Sequence, residues 1–371
     1  MNRPRIRILF IVSSLSGGGA ERVVSTILRY LDCNRFEPLL CLWRDEIVYP
    51  IPKDLKVHII GKYKPWHLFH AIRQTRFLIK KWKPDVIYSH LSFVNLLTGL
   101  ALLGKAQNTL WISCQHQDPE YSTNIIMKRI LGLVLNRCYK VVAVSNGVRT
   151  ACIKNFLLPD DKVITLYNPL ELPEPLDNKE HTNHLSESYV STLVAMGRLT
   201  KEKDYPTMFR ALRLMKENMP IKLKILGDGP LYNKLKILAA NLDIAEDVDF
   251  LGFVNDPFPI IRTSDVYVMS SVSEGLPTAL IEAMACGVPV VSTRATYGPE
   301  EIIVDGESGL LVGVGDSNTL ANSIIRILKD NSLRERLSKA GIVRVNSLFS
   351  KDNLIPQFER IIMNAVEHEN R

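Results

Sequence analysis

Short apolar runs alternate with longer amphipathic segments along the first 170 residues. The runs that fit buried strands cover residues 6–12, 38–42, 57–60, 85–88, 109–114, 140–144 and 163–166. Amphipathic periodicity predicts helices between them, over residues 20–31, 67–82, 92–103, 123–137 and 146–155. Strands that alternate with helices in this way predict a parallel sheet covered on both faces.

A second alternating series follows a polar, proline-rich stretch at residues 171–188, which we interpret as a linker. Strands are predicted at 190–196, 222–226, 248–251, 265–269, 289–292 and 310–312, and helices at 204–217, 230–241, 256–263, 277–285, 316–329, 331–345 and 351–368. The pattern predicts two doubly wound α/β domains, residues 1–170 and 189–350, and a helix over 351–371 that packs back toward the first domain. If the domains face each other, a ligand cleft lies at the carboxyl ends of both sheets.

Composition places the 371 residues among globular proteins, because 46% are hydrophobic and 23% charged. Six scattered cysteines without a CxxC pair argue against a zinc site or a disulfide framework and fit a reducing cytosol. We expect no signal peptide, and no apolar run approaches the ~20 residues of a membrane span. Residues 1–170 carry a net charge of +13 and residues 171–371 one of −6, which suggests an anionic partner for the first half: nucleic acid, a membrane surface or a lipid phosphate.

Two carboxylates, Glu274 and Glu282, flank a turn that contains Gly275 and Pro277. The turn follows the predicted strand 265–269, so Glu274 is expected on a loop and Glu282 within the following helix. Pro277 suits the first turn of that helix, whose free amides and dipole attract anionic groups. This spacing alone is a weak signal, but it would place a carboxylate beside a phosphorylated ligand.

Glycine-rich turns follow other predicted strands. Ser16-Gly17-Gly18-Gly19 leads from the first strand into a helix, which brings backbone amides toward a phosphate, although neither the G-x-G-x-x-G pattern nor a Walker lysine is present. A tight structural turn is the alternative interpretation. In the second half, Gly197 and Arg198 precede Lys203, and Gly227-Asp228-Gly229 follows another strand. Two cations beside a diphosphate could stabilise the charge that develops on a leaving group.

Two histidines follow strands of the first half. His90 comes after residues 85–88 and His116 after residues 109–114, so both are predicted at the carboxyl edge of the sheet. Neither has a Ser or Cys partner that the sequence identifies as a nucleophile. No HExxH motif, DxD-type metal pair or GxSxG motif is present.

Taken together, these segments resemble the retaining nucleotide-sugar glycosyltransferases of family 4, which have the GT-B fold of two Rossmann-like domains around a central cleft. The resemblance covers nearly the whole chain, and its motifs occur in the family's order: Gly18-Gly19-Ala20-Glu21-Arg22, Gly197-Arg198-Leu199 with Lys203, Gly227-Asp228-Gly229, Glu274 and Glu282 with 285–289, and Glu301-Ile302-Ile303 with 309–312. The form around Glu274 is most similar to members that build polysaccharides, O-antigens or lipid-linked glycans in bacteria.

The resemblance implies that Arg198 and Lys203 bind the donor diphosphate and that Glu282 holds the ribose hydroxyls. Glu274 and His116 are implied beside the donor sugar and its reacting carbon, with Glu274 not assigned as a nucleophile. Further binding positions are implied at Gly197, Gly275, Leu276, Pro277, Thr278, Gly17 and Gly18. No metal or other cofactor is implied. Asn168-Pro169 departs from the Asn-Gly of many members, which bears on the hinge.

A basic segment, residues 62–83, gives an indication of the acceptor. Its apolar and basic positions are mixed: Trp66, Phe69, Ile72, Leu78 and Trp82 with Arg73, Arg76, Lys80, Lys81 and Lys83. One hypothesis is that this segment docks the protein on the inner face of the cell membrane, where it reaches a polyprenyl-diphosphate-linked glycan. The other is a helix packed on the sheet with a solvated basic face.

The sequence therefore favours a cytoplasmic, peripheral glycosyltransferase that uses a nucleotide sugar, with a UDP-linked hexose or N-acetylhexosamine implied by the resemblance. The alternative is a catalytically silent protein that binds sugar nucleotides or nucleic acid. Nucleic-acid binding would need stacking aromatics interleaved with basic residues along a groove, and only residues 62–83 approach that pattern. A sugar-nucleotide epimerase or phosphorylase would lack this motif order.

Overall fold

The computed structural model describes residues 5–61, 68–103, 109–117, 124–173 and 189–369, and the chain forms two compact units. The first unit comprises Met1–Glu171 together with Lys351–Arg371, and the second comprises Leu172–Ser350. Most of the predicted linker, residues 174–188, lies outside the described residues, as do residues 62–67 of the basic segment.

The first unit contains a parallel sheet of seven strands in the order β3-β2-β1-β4-β5-β6-β7. Its strands are β1 Ile6–Val12, β2 Phe36–Leu42, β3 Lys56–Ile59, β4 Val86–His90, β5 Leu110–Gln115, β6 Lys140–Ala143 and β7 Val163–Thr165. Its helices are α1 Gly19–Tyr30, α2 Leu68–Trp82, α3 Ser92–Leu102, α4 Ile125–Leu135, α5 Asn146–Phe156 and the C-terminal α13 Lys351–Glu369. Helices α2, α3, α4 and α5 pack side by side in one layer, and α1 packs against α13.

The second unit contains a parallel sheet of six strands in the order β10-β9-β8-β11-β12-β13. Its strands are β8 Ser191–Met196, β9 Ile221–Leu226, β10 Val248–Gly252, β11 Val266–Met269, β12 Val290–Thr293 and β13 Leu310–Val312. Its helices are α6 Tyr205–Lys216, α7 Tyr232–Asn241, α8 Phe258–Arg262, α9 Thr278–Ala285, α10 Pro299–Ile302, α11 Ser317–Lys329 and α12 Asn331–Phe349. The core between this sheet and its helices is aliphatic, with Phe209 fully buried in it.

The predicted class, a doubly wound α/β fold, is confirmed in both units, because each strand order reverses once beside the first strand. The short helix α10 was not predicted, since a run of four residues carries no periodicity. Pro277 was predicted within the first turn of α9. In the structure it is instead the N-cap residue, directly before Thr278. Its ψ of 98° is extended rather than helical. Among the described residues, no helix is both long and apolar enough to cross a membrane.

Candidate functional site

In the second unit, two loops meet at the carboxyl edge of the sheet, at the point where the strand order reverses between β8 and β11. One loop follows β8 and runs to Lys203, and the other follows β11 and begins at Ser270. The Ser270 hydroxyl donates to the carbonyls of Lys203 and Asp204, at 2.9 Å each, and the Val272 amide donates to the Glu202 carbonyl at 2.8 Å. These bonds fix the two predicted halves of the phosphate and sugar site against each other.

An ion pair joins the loops at their centre. The Lys203 ammonium lies 2.5 Å from Glu274 Oε1, and the Ser271 hydroxyl donates to the same oxygen at 2.6 Å. The side chains are 22% and 10% exposed, so both charges are held close to the surface of the unit. Because a lysine ammonium carries three donors, Lys203 can hold Glu274 and still present a proton to a phosphate oxygen.

Gly197 and Arg198 occupy the turn directly after β8. The Gly197 carbonyl accepts from the hydroxyl of Tyr205, 3.0 Å away, and burial together with the Glu274 charge raises the pKa of that phenol. The turn is pressed against Gly227, whose φ is +147° and where a Cβ would lie 2.1 Å from the Gly197 carbonyl oxygen. Only glycine fits at position 227, and the Arg198 side chain remains exposed.

The start of α9 follows the Glu274 turn. Gly275, Leu276 and Pro277 are buried, and no side chain caps the helix. The Leu280 amide donates to the Pro277 carbonyl at 3.1 Å, and Thr278 is half-buried at the helix start. Such an uncapped start favours an anion, because the first amides lack intrahelical acceptors and the helix dipole is positive there.

A third loop, which the sequence analysis did not single out, braces this turn. The Glu274 amide donates to the Thr296 carbonyl at 3.1 Å, and a Cβ at Gly298 would lie 2.6 Å from Pro277 Cδ. Gly298 has a φ of +89°, so the loop needs glycine for both conformation and close packing. The sequence contained a signal for this loop: the turn Tyr297-Gly298-Pro299 follows β12 and resembles the turn before Pro277.

The two acids lie at different depths, as a loop position and a helix position predicted. Glu282 is within α9 and is 2% exposed, whereas Glu274 reaches the loop surface. Burial chiefly, with the charges of Tyr205, Glu274 and Glu282, raises the pKa of the buried Tyr267 phenol.

In the first unit, the amides of the glycine turn have an internal partner. The Glu21 carboxylate, 7% exposed, accepts from the amides of Gly17 and Gly18 at 2.8 and 3.1 Å, and from the Ser14 hydroxyl at 3.1 Å. The expectation that these two amides approach a phosphate is therefore corrected: an anion from the chain itself already occupies them. The sequence Gly-Gly-Ala-Glu contained this signal, since an acid at the third helical position commonly reaches back to the helix start.

His90 and His116 lie together at the carboxyl edge of the first sheet. His90 Nδ1 and His116 Nε2 are 2.9 Å apart, and the rings stack with centroids 5.2 Å apart. Burial lowers the pKa of His116 to about 3 and holds the pKa of His90 well below its usual value, with a smaller contribution from His116. Both rings are therefore neutral at physiological pH, and His116 is the more exposed of the two.

A cysteine, Cys114, lies beside the two histidines, whereas the sequence analysis expected no cysteine partner of nucleophile type. Ligand-type atoms of His90, Cys114 and His116 all lie within 4.8 Å of one another, because Cys114 pairs with His90 across the strands and shares a face with His116. Burial raises the pKa of the Cys114 thiol to about 12, so it is protonated and not an activated nucleophile. The close pair of ring nitrogens is a hydrogen bond between neutral imidazoles.

The structure thus divides the predicted residues by unit. Arg198, Lys203, Glu274 and the start of α9 are brought to one sheet edge of the second unit, with Glu282 beneath them. Gly17, Gly18 and His116 lie at the sheet edge of the first. Sequence reasoning missed Ser270 and Ser271, which directly follow β11 and whose hydroxyls hold Lys203 and Glu274 in place.

Two family models match the chain, one for each half. The model described as Glycosyltransferase Family 4 matches residues 17–173, and the model described as Glycosyl transferases group 1 matches residues 178–344. Together they extend over most of both units.

Two curated relatives match nearly end to end. One from Campylobacter jejuni, named N-acetylgalactosamine-N,N'-diacetylbacillosaminyl-diphospho-undecaprenol 4-alpha-N-acetylgalactosaminyltransferase, is 29% identical over 349 residues, which are 91% of this chain and 94% of the relative. Another from the same organism is named as an alpha-1,4-N-acetyl-D-galactosaminyltransferase acting on a GalNAc-containing diNAcBac-PP-undecaprenol. It is 28% identical over 345 residues, 90% of this chain and 91% of that protein.

Solved structures match the whole fold. Anabaena HepE in complex with UDP-glucose has a TM-score of 0.81 at 20% identity, over 97% of this chain and all of the other. Sucrose-phosphate synthase from Thermosynechococcus elongatus also has a TM-score of 0.81, at 18% identity, over 97% of this chain and 99% of the other. At these identities the likeness establishes the two-domain α/β architecture.

Proposed function

The chain belongs to the glycosyltransferases of family 4 and is a hexosyltransferase with the GT-B fold, and on that basis we propose which sugar it moves and to what. The donor is a UDP-linked hexose or N-acetylhexosamine, and transfer retains the configuration at the sugar carbon. The relatives named as N-acetylgalactosaminyltransferases support an N-acetylhexosamine, and the HepE complex supports UDP as the nucleotide.

The observation that carries this proposal is the Lys203–Glu274 pair beside the uncapped start of α9. Arg198 and Lys203 hold the donor diphosphate, and the amides around Thr278 stabilise its charge as the nucleotide leaves. Glu282 holds the ribose hydroxyls from within α9. Glu274 contacts the donor sugar, and Lys203 fixes its orientation.

His116 lies near the reacting carbon in this proposal and acts there as a neutral hydrogen-bonding group. Its low pKa keeps it uncharged, so it can contact sugar hydroxyls without placing a cation beside a carbon that becomes electron-poor. We propose that transfer needs no metal ion, since the cations of this site are Arg198 and Lys203. A metal chelator then leaves activity unchanged.

The acceptor we propose is a glycan on a polyprenyl diphosphate, as in the names of the two Campylobacter jejuni relatives. The product enters bacterial surface polysaccharide or glycan biosynthesis, and the protein works peripherally on the inner face of the cell membrane. The part of the basic segment that the structure describes supports contact with anionic lipid, because Arg73, Lys80, Lys81 and Lys83 are all exposed.

A donor screen tests the proposal. Purified protein is mixed with UDP-, GDP- and ADP-sugars, and thermal stabilisation and nucleotide release are measured. We expect one UDP-sugar to stabilise the protein and to be slowly hydrolysed, and Glu274→Ala to lose hydrolysis while it keeps binding. If no nucleotide sugar shifts the melting curve at millimolar concentration, the donor site is not where we place it.

A further inference from the structure

One helical layer of the first unit has an unusual charge pattern. Its helices α2, α3, α4 and α5 carry eight Lys or Arg residues and no Asp or Glu. The helix α13, which packs against α1 instead, carries four acidic residues within its bounds. Since acidic residues are frequent elsewhere in the chain, their absence from four adjacent helices marks the face of this layer as suited to an anionic surface.

Helix α4 also exposes large apolar side chains. Ile125, Ile126 and Leu133 are 70%, 69% and 74% exposed, and Met127 and Ile130 are exposed as well. The opposite side of α4 is fixed to the unit: Leu131, Val134 and Leu135 are buried, and a Cβ at Gly132 would lie 2.2 Å from the Phe156 carbonyl oxygen. The helix is thus held by its inner face and presents an apolar outer face.

Cations lie within and beside this apolar face. Arg129 is exposed between Ile125 and Leu133 at helical spacing, so it shares their side of α4. In the same layer, α2 presents Phe69 and Phe77 with Arg73 between them, and these three residues also recur at every fourth position. Two helices of one layer therefore carry the same combination of large apolar and basic side chains.

This combination of exposed apolar and basic side chains indicates what binds to the helical layer. Monomeric proteins rarely expose such a stripe, and an anionic bilayer interface accepts both parts of it. Apolar side chains enter the boundary of the acyl chains, while Arg and Lys remain among the lipid phosphates. An acidic protein groove would satisfy the cations, but it would have to match apolar residues on separate helices of the layer.

We propose that the outer face of α4, with Ile125, Ile126, Ile130 and Leu133, inserts into the interface of an anionic membrane. The basic residues of α2 and α4 position it there. This proposal deepens the proposed function, because it names the surface through which the enzyme meets a lipid-linked acceptor. It depends on the proposed function only in that a lipid-linked acceptor explains why the protein binds a membrane. The docking surface itself rests on exposure and charge.

The test is vesicle flotation of the full chain. Phosphatidylcholine vesicles with and without phosphatidylglycerol are compared for the unchanged protein and for Ile130→Ser combined with Leu133→Ser. The matched control is Ile237→Ser combined with Val343→Ser, which removes two exposed apolar side chains from helices of the second unit. Donor hydrolysis and the melting temperature are measured for every protein.

We expect the unchanged protein and the control to float with the anionic vesicles and the α4 variant to bind at least about tenfold more weakly. Donor hydrolysis and melting temperature stay unchanged, so a failure of docking is separate from a failure of the donor site. The proposal is overturned if the α4 variant floats like the control, or if the unchanged protein ignores anionic vesicles. It is also overturned if sedimentation reveals a dimer that Leu133→Ser abolishes, because the face is then an interface between copies.

Discussion

At the scale of single residues, the ion pair between Lys203 and Glu274 lies at the centre of the donor site that we propose. The pair is only partly exposed, so each charge depends on the other more than a surface pair would. A phosphate that approaches Lys203 therefore meets a charge already fixed in position. The ordering cost of a long lysine side chain is paid within the fold rather than on binding.

Replacement of this lysine separates binding from folding. We expect Lys203→Ala to weaken UDP-sugar binding at least about tenfold, because a diphosphate contact is lost. Stability should fall by roughly 1–2 kcal/mol, because Glu274 is left without its cation. Titration calorimetry and thermal unfolding check both effects. Lys201→Ala, an exposed lysine in the same loop, is the control, and an equal loss of donor affinity there would contradict the assigned role.

The histidine pair also has a defined proton arrangement. Within the described part of the chain, His90 Nε2 is buried without a hydrogen-bond partner. A bare lone pair is tolerated there better than an unpartnered N–H, so His90 carries its proton on Nδ1 and donates it to His116 Nε2. His116 then carries its own proton on Nδ1. His90 is thus a positioning residue for the group that we place beside the donor sugar.

The two histidines make the free energy of unfolding fall as the pH is lowered. Both pKa values are lowered in the folded protein, so the unfolded chain binds more protons once pH falls below about 6.5. Stability is complete above that value and is lost as pH falls toward the folded values. We expect His90→Gln to reduce the slope of unfolding free energy against pH by up to about 1.4 kcal/mol per unit between pH 6 and 5.

Denaturant unfolding at several pH values measures that slope, with the exposed His70→Gln as the control. His90→Gln should also lower kcat for donor hydrolysis more than it raises KM. The reason is that His116 loses its fixed tautomer, whereas the contacts to the donor diphosphate remain. An unchanged slope would mean that His90 is protonated in the folded protein, which would contradict the tautomer assignment.

At the scale of elements, the turns at the end of β8 and β9 depend on a close backbone approach. We expect Gly227→Ala to destabilise the protein by at least about 3 kcal/mol, since the new Cβ would overlap the Gly197 carbonyl and move the Arg198 turn. Gly306→Ala also has a positive φ, +75°, but has open space around it, so it should cost only about 1 kcal/mol. Thermal unfolding compares the two, and equal losses would show that the contact is not what limits position 227.

The elements themselves were predictable from the sequence because their signals are local. Alternating apolar runs located the strands of both sheets, and β1 and β13 match their predicted bounds. The partners of site residues were not predictable. Lys203 and Glu274 are 71 positions apart, and they meet because the strand order reverses between β8 and β11. The glycine turn after β1 is an example, because the partner of its amides is a carboxylate of the chain itself, Glu21.

At the scale of the whole molecule, the two halves of the chain divide charge and role. The first half is strongly basic and includes the layer of helices without acidic residues, while the second half is acidic overall and carries Arg198 and Lys203, the cations of the proposed donor site, in the loop after β8. The family models divide in the same way, with one for each half. This division agrees with our proposal that the basic unit meets an anionic membrane and that the other unit binds the nucleotide sugar.

The central claim is that this chain transfers a sugar from UDP to a polyprenyl-diphosphate-linked glycan, and the product of the reaction tests it most directly. Purified protein is incubated with UDP-hexoses or UDP-N-acetylhexosamines and a short lipid-linked acceptor, with a chelator present, and the acceptor is analysed by mass spectrometry. We predict that one donor adds a single sugar residue to the acceptor, and that Lys203→Ala abolishes the addition while Lys201→Ala preserves it. An acceptor that gains no mass with any UDP-sugar, although the protein binds the nucleotide, would contradict the claim.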